Sequence, residues 1–174
     1  MKKSIGLWSL WGFAITVLGG TLLHFLYDWT GESRYFASIS AVNESTWEHM
    51  KLFFVPTFIF AIVQSIFFGD SQNFWCIKLR ITLIGLALIP IIFYTYNGVI
   101  GKSPDWINIT IFFIAAAVSY IYEWLNLYSD KITCHHPNLA LIGLIVLALL
   151  FVLFTYRAPT LNVFKDPITN TYGI

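Results

Sequence analysis

The chain is short of charge. Only 11% of its 174 residues are Asp, Glu, Lys or Arg, under half of the roughly 25% usual in soluble domains. Ten basic against nine acidic residues leave a formal charge of +1, so there is no basic surface for nucleic acid and no acidic tail. Cysteine is scarce too. Cys76 and Cys134 are the only two, too few for a disulfide framework, and no Cys-x-x-Cys spacing is present. The sequence also lacks an internal repeat, a low-complexity tract and any linker long enough to separate two domains. A serine-nucleophile motif, His-Glu-x-x-His and a phosphate loop are missing as well, so no standard enzyme signature is carried.

What fills the chain instead is apolar. Hydrophobic residues make up 57% and the mean hydropathy is +0.72, which places the chain in the membrane class. A helix needs about 20 mostly apolar residues to cross ~30 Å of hydrocarbon. Five runs qualify: residues 5–27, 50–68, 74–96, 106–127 and 138–156. Lipid offers no partner to a free backbone N–H or C=O, so each must be helical. The expected fold is therefore all-α, a polytopic transmembrane bundle over residues 1–156 with an extramembrane tail, 157–174. The first run is too long for a secretory signal and no A-x-A-like cleavage site follows, so it reads as an uncleaved span. Pro56 and Pro90 fall inside spans. All seven Trp lie near span ends, as interfacial aromatics do.

Orientation has little to fix it. With the N-terminus in the cytoplasm, one side holds Lys2, Lys3, Lys78, Arg80 and Lys131, and the other Arg34, Lys51, Lys102, Arg157 and Lys165, which is no bias by the positive-inside count. "MKK" directly against the first span favours N-in. The same map puts Cys76 and Cys134 on the reducing side. The expectation is a multi-pass cell-membrane protein with a cytoplasmic N-terminus and an extracellular C-terminus.

The outer side then collects the polar features, and the densest is "SAVNESTWEHMKLFFVP", residues 40–56. Ser45-Thr-Trp-Glu48 fits a capping box, with Ser45 bonding the Glu48 N–H and Glu48 reaching back to the Ser45 N–H. Glu44 and His49 take the places where an apolar staple is usual, and they suit an ion pair instead. His24 and Asp28, four apart on the first span, share a helix face at a similar depth. His24, Asp28, Glu44, Glu48 and His49 are thus candidates for one catalytic cluster, since ionisable groups at membrane depth are costly and tend to face the bundle interior. Two His with carboxylates suit zinc or a similar divalent ion, with His24, Asp28, Glu44 and His49 as the ligand set. The same groups also suit an acid–base pair, or a hydrogen-bonded cluster that only pins two helix ends. Elsewhere Gln64 and Glu123 suit a structural pair. "CHHP", residues 134–137, reads as a loop, with Pro137 and Asn138 starting the last helix. The tail, with Pro159, Pro167 and apolar Leu161, Val163 and Phe164, reads as a segment folded over the outer mouth. There Phe164 and Tyr172 would be buried and Asp166 would face the cluster or Arg157.

"HFLYDWTG", "SAVNESTWEHMKLFFVP", "YTYNGVIGKSPDWINITIFF" and "APTLNVFKDPITNTYGI" together resemble an uncharacterised family of small bacterial membrane proteins, domain of unknown function family 6512. The resemblance covers nearly the whole chain, and Asn-Glu-Ser-x-Trp-Glu-His is its most specific element. It implies a five-span integral membrane protein of bacterial origin and no particular activity. Two functional classes stand beside each other at this point: a membrane-embedded metal-dependent hydrolase, and a small ion or solute transporter using the same cluster. A membrane accessory subunit with no site of its own is the third. The expected partners are the lipid bilayer and either a second copy of the chain or another membrane protein.

Overall fold

A computed structural model of the chain describes residues 2–127, 129 and 132–174. Among these run α1 (Lys2–Trp29), α2 (Arg34–Ala37), α3 (Thr46–Phe68), α4 (Phe74–Val99), α5 (Asp105–Asn126) and α6 (Pro137–Tyr156). A 3-10 turn, Asn162–Phe164, follows in the tail. The five long helices are each long and apolar enough to cross a membrane. The fold is all-α, as the run lengths require. The largest shift from the expected bounds is at α3, which begins at Thr46 because the polar stretch before the apolar run itself makes the cap and first turn. Helices α3 and α4 continue through Pro56 and Pro90 without a break. The single turn of α2 has no signal in the apolar pattern.

Helix α3 is the most buried of the five. It packs on α1 and α4, while α5 closes the ring by packing on the same two helices, and α6 lies against α4 and α3. Phe53, Phe54, Leu86, Ala115, Ala116 and Leu144 fill the middle of the bundle. Close approach depends on a missing side chain at Gly85, where a Cβ would stand 2.2 Å from Phe53 Cζ; small residues at helix contacts serve this purpose in membranes. Leu18, Ile66, Ile121 and Leu149 point outward, as suits helices surrounded by hydrocarbon.

Two lysines that the sequence places among loop charges are in fact buried. Lys51 Nζ lies 2.5 Å from Glu48 Oε2, and donates to Ala37 O at 2.8 Å and Thr155 Oγ1 at 2.7 Å. Lys78 Nζ lies 2.8 Å from Glu123 Oε1 and also donates to Gln64 Oε1. The expected Gln64–Glu123 bond is present at 2.8 Å, with Lys78 as its third member. An ammonium leaves water only when its charge and its donors are matched; three residues do so for Lys51 and two for Lys78. Because one lysine is removed from each side, the positive-inside count stays tied.

The cysteines require a correction. Cys76, near the start of α4, and Cys134, just before α6, are joined by a disulfide. They are not thiols marking a reducing compartment. Asn73 ties the same loop, donating from Nδ2 to Ile132 O at 2.6 Å and accepting from Cys134 N at 2.9 Å. Helix α6 then opens with Pro137 in its first turn, as "CHHP" suggests.

Removing Glu48 alone strands the buried ammonium of Lys51. Glu48→Ala should therefore destabilise the detergent-solubilised protein by about 3–5 kcal/mol, while pairing it with Lys51→Met should recover most of that loss. Equilibrium unfolding of the two single variants and the double variant measures this, and simple additivity would show that the pair is not coupled.

Candidate functional site

Helix α3 starts on a cap that is half of a capping box. Ser45 Oγ accepts from Glu48 N at 3.4 Å, but Glu48 does not reach back. The Ser45 N–H goes to Asn43 Oδ1 at 2.9 Å. The Glu48 carboxylate instead accepts from Val42 N at 3.1 Å and faces Lys51 and Thr155. A buried cation three residues on outbids a backbone donor for a carboxylate. Glu48 is thereby drawn inward, away from the cleft, and has no place among the groups that converge there.

Glu44 turns the other way. Its Oε1 lies 3.8 Å from His24 Nε2, and its Oε2 lies 3.5 Å from His49 Nε2. The two imidazole centroids are 5.6 Å apart. One ligand atom from each of His24, Glu44 and His49 lies within 4.8 Å of the others. Asp28, on the same face of α1, is exposed and stands outside this group. Of the five candidate residues, three converge.

The two histidines are held differently. His49 Nδ1 lies 3.0 Å from Ser45 O. A carbonyl only accepts, so Nδ1 donates there and Nε2 is turned toward Glu44; such a backbone bond is the usual way to orient a metal-binding or catalytic imidazole. His24 Nδ1 is buried without a partner. Both imidazole side chains remain 30% exposed and Glu44 remains 41% exposed, so the three groups are open to a small ligand.

Two clefts meet at this point. The first, of about 520 Å³, runs between α1 and α5, from Gly20, Thr21, His24 and Phe25 to Ile109 and Phe113. The second, of about 330 Å³, is lined by Thr46, Asn97, Lys102 and Ser103. Glu44, His49, Asp105, Asn108, Phe112 and Ile168 border both. Sequence reasoning missed Asp105 and Asn108. Their placement comes from a turn tied by side-chain amides: Ser103 N donates to Asn97 Oδ1 at 2.8 Å, and Ser103 Oγ donates to Asn108 Oδ1 at 2.8 Å. The available signal was "GKSPDW", a Ser-Pro-Asp helix start that sets an acid at the mouth of α5.

The tail folds back over this end of the bundle. Phe164 is buried and packs on Trp47 and Phe154 with centroids 4.7 and 5.3 Å apart. Ile174 N donates to Thr155 O at 3.2 Å, and Asn43 Nδ2 donates to Gly173 O at 3.2 Å. Two expectations need correction. Tyr172 is only half-buried. Asp166 faces neither the cluster nor Arg157; it accepts from Ile168 N at 2.9 Å and Thr169 Oγ1 at 2.6 Å, because the donors of its own turn are nearest.

The chain belongs to the family described as a family of unknown function (DUF6512), whose model matches residues 1–174. No curated protein and no solved structure matches the chain.

Phe164 anchors the tail, so Phe164→Ala should cost about 3 kcal/mol. It should also make the segment beyond Arg157 the first to be cut in limited proteolysis, whereas the tail of the unaltered protein should resist. Equal cleavage rates would mean that the ring contributes no anchoring.

Proposed function

We propose that the protein is a membrane-embedded hydrolase that depends on a divalent metal held by His24, Glu44 and His49. The observation that carries this reading is the convergence of two imidazoles and one carboxylate, still solvent-accessible, at the junction of two clefts. Two His and one Glu form a ligand set of catalytic zinc sites, where the fourth position stays open for water. The carboxylate already stands 3.8 and 3.5 Å from the two imidazole nitrogens, and holding one ion would require the three groups, now within 4.8 Å of one another, to draw somewhat closer. A bound zinc ion would supply Lewis acidity and a water acidic enough to ionise near neutral pH. Asp105 borders both clefts and would serve as the base toward a water held there.

Depth favours an enzyme over a carrier. His24 is five residues from the end of α1, about 7–8 Å along the axis, whereas carriers hold their substrate near the midplane. Farther in, Phe53, Ala115 and Ala116 are fully buried and packed together.

The disulfide supports a reading of the compartment. Such a bond persists on an oxidising side of a membrane, and Cys76 and Cys134 lie at the same end of the bundle as the N-terminus. This weighs against "MKK" and more heavily, since the charge count is otherwise tied. The orientation we adopt is N-out, with the His24–Glu44–His49 end facing the cytoplasm.

Purified protein loaded with zinc, manganese, nickel or ferrous iron and then desalted should retain about one equivalent of one of them. His24→Ala, Glu44→Ala and His49→Ala should each weaken retention by at least about tenfold, while Asp28→Ala should not. Failure to retain any of the four metals at micromolar protein would end the metal reading. For orientation, an impermeant maleimide applied to intact cells should label Cys76 and Cys134 only after an impermeant reductant; labelling only after permeabilisation would restore N-in.

A further inference from the structure

The clefts differ in what they offer a ligand. The wall of the larger one is formed by Phe25 on α1 and by Ile109 and Phe113 on α5, which are 44%, 59% and 41% exposed. These are outward positions on two helices long and apolar enough to cross a membrane. The cleft therefore opens sideways between α1 and α5, near the C-terminal end of α1 and the N-terminal end of α5. Its floor exists because residue 20 is glycine: a Cβ there would stand 2.6 Å from Phe112 Cζ and 3.0 Å from Leu52 O. The smaller cleft sets Asn97, Lys102 and Ser103 among apolar Ile89, Phe93 and Ile111, and it shares Asp105 and Asn108 with the larger one. Glu44 and His49 sit where the two clefts meet, with His24 on the side of the larger one.

From this we propose that the site takes a membrane glycerophospholipid, entering laterally between α1 and α5 with its acyl chain against Ile109 and Phe113 and its headgroup toward Lys102. The substrate assignment rests on the hydrolase reading above; the lipid binding does not. The headgroup phosphate is assigned to Lys102, which lines the smaller cleft beside Asn97 and Ser103. The bond placed at the junction is the carboxyl ester, which in a bilayer lies at the boundary between chain and headgroup. Hydrolysis adds water across it. The hydroxyl joins the acyl carbonyl carbon, the carbonyl–glycerol C–O bond breaks, and the glycerol oxygen takes the proton, giving a free fatty acid and a lysolipid.

The test uses the full chain reconstituted in vesicles of phosphatidylglycerol and phosphatidylcholine, extracted gently, with bound lipid and bound metal read together by native mass spectrometry. Unaltered protein and Glu44→Gln should both retain phosphatidylglycerol. Ile109→Trp and Phe113→Trp, which fill the side opening, should lower retention at least about tenfold, and Val118→Trp, exposed elsewhere on α5, should not. Lys102→Glu should shift retention toward phosphatidylcholine. Lipid retention unchanged by both Ile109→Trp and Phe113→Trp overturns the inference even if metal is bound. Lipid retained in a cleft-dependent way without metal, or with metal but with no fatty acid released from the vesicles, overturns the hydrolase reading and leaves a lipid-binding site.

Discussion

The ammonium of Lys51 has no water to turn to, and the end of the bundle that carries the candidate site is organised around that fact. Satisfying it takes the carboxylate of Glu48, the hydroxyl of Thr155 and the carbonyl of Ala37. These belong to α3, α6 and the last residue of α2. A group that costs several kcal/mol to bury unmatched thus fixes three segments relative to one another. The consequences reach the candidate site. With Ala37 and Val42 both tied to this node, the chain from residue 37 to 45 has little freedom, and Glu44 is delivered beside His24 and His49. Thr155 also receives the end of the tail through its carbonyl, which brings Ile168 over both clefts.

The other end is built on the same rule with different parts. Lys78, Gln64 and Glu123 form a closed triad there, with the Phe60 and Phe74 rings each 5.6 Å from the cation. Next to it, the Tyr120 hydroxyl lies 2.8 Å from Thr16 Oγ1, which lies 3.1 Å from Thr57 Oγ1. These polar groups join α1, α3, α4 and α5 across the bundle. Hydrogen bonds between helices in a membrane supply attraction that apolar contact with lipid-like surroundings does not. The disulfide adds a covalent tie between α4 and the segment leading into α6. One end is thus closed by polar pairing and a crosslink, and the other is open at a cluster whose groups are half satisfied.

The division between what the sequence reveals and what it hides follows the same physics. Spans are legible because hydrocarbon thickness sets a run length, and each of the five long helices overlaps the run expected for it. The grouping of His24, Glu44 and His49 is legible because helix periodicity and topology put them at one depth. The fate of Glu48 is not. Its residue type and spacing satisfy a capping box, and only the burial of Lys51, which looks like a loop charge in sequence, diverts it. The cysteine pair fails for a related reason: a 58-residue separation carries no distance information until the helices between are packed. Asp105 and Asn108 were hidden because a turn of Asn97, Ser103 and Asn108 side chains, with no periodicity, decides where they point.

The looseness of the His24–Glu44–His49 group also has a structural origin. His24 and His49 ride on long helices whose positions are set by packing elsewhere, and His49 is further fixed through Ser45 O. Glu44 lies in the connection just before the cap of α3, and it is the most exposed of the three side chains. With its carboxylate spanning two imidazoles 5.6 Å apart, it is the member able to change rotamer at small cost. Sites held on regular elements are more precise than sites on loops, so the two nitrogens set the geometry and the carboxylate adapts to what arrives. That arrangement suits a ligand that must enter and leave. A purely structural clasp would bury and saturate the same groups, as the protein does with Glu48 and Lys51 one turn away.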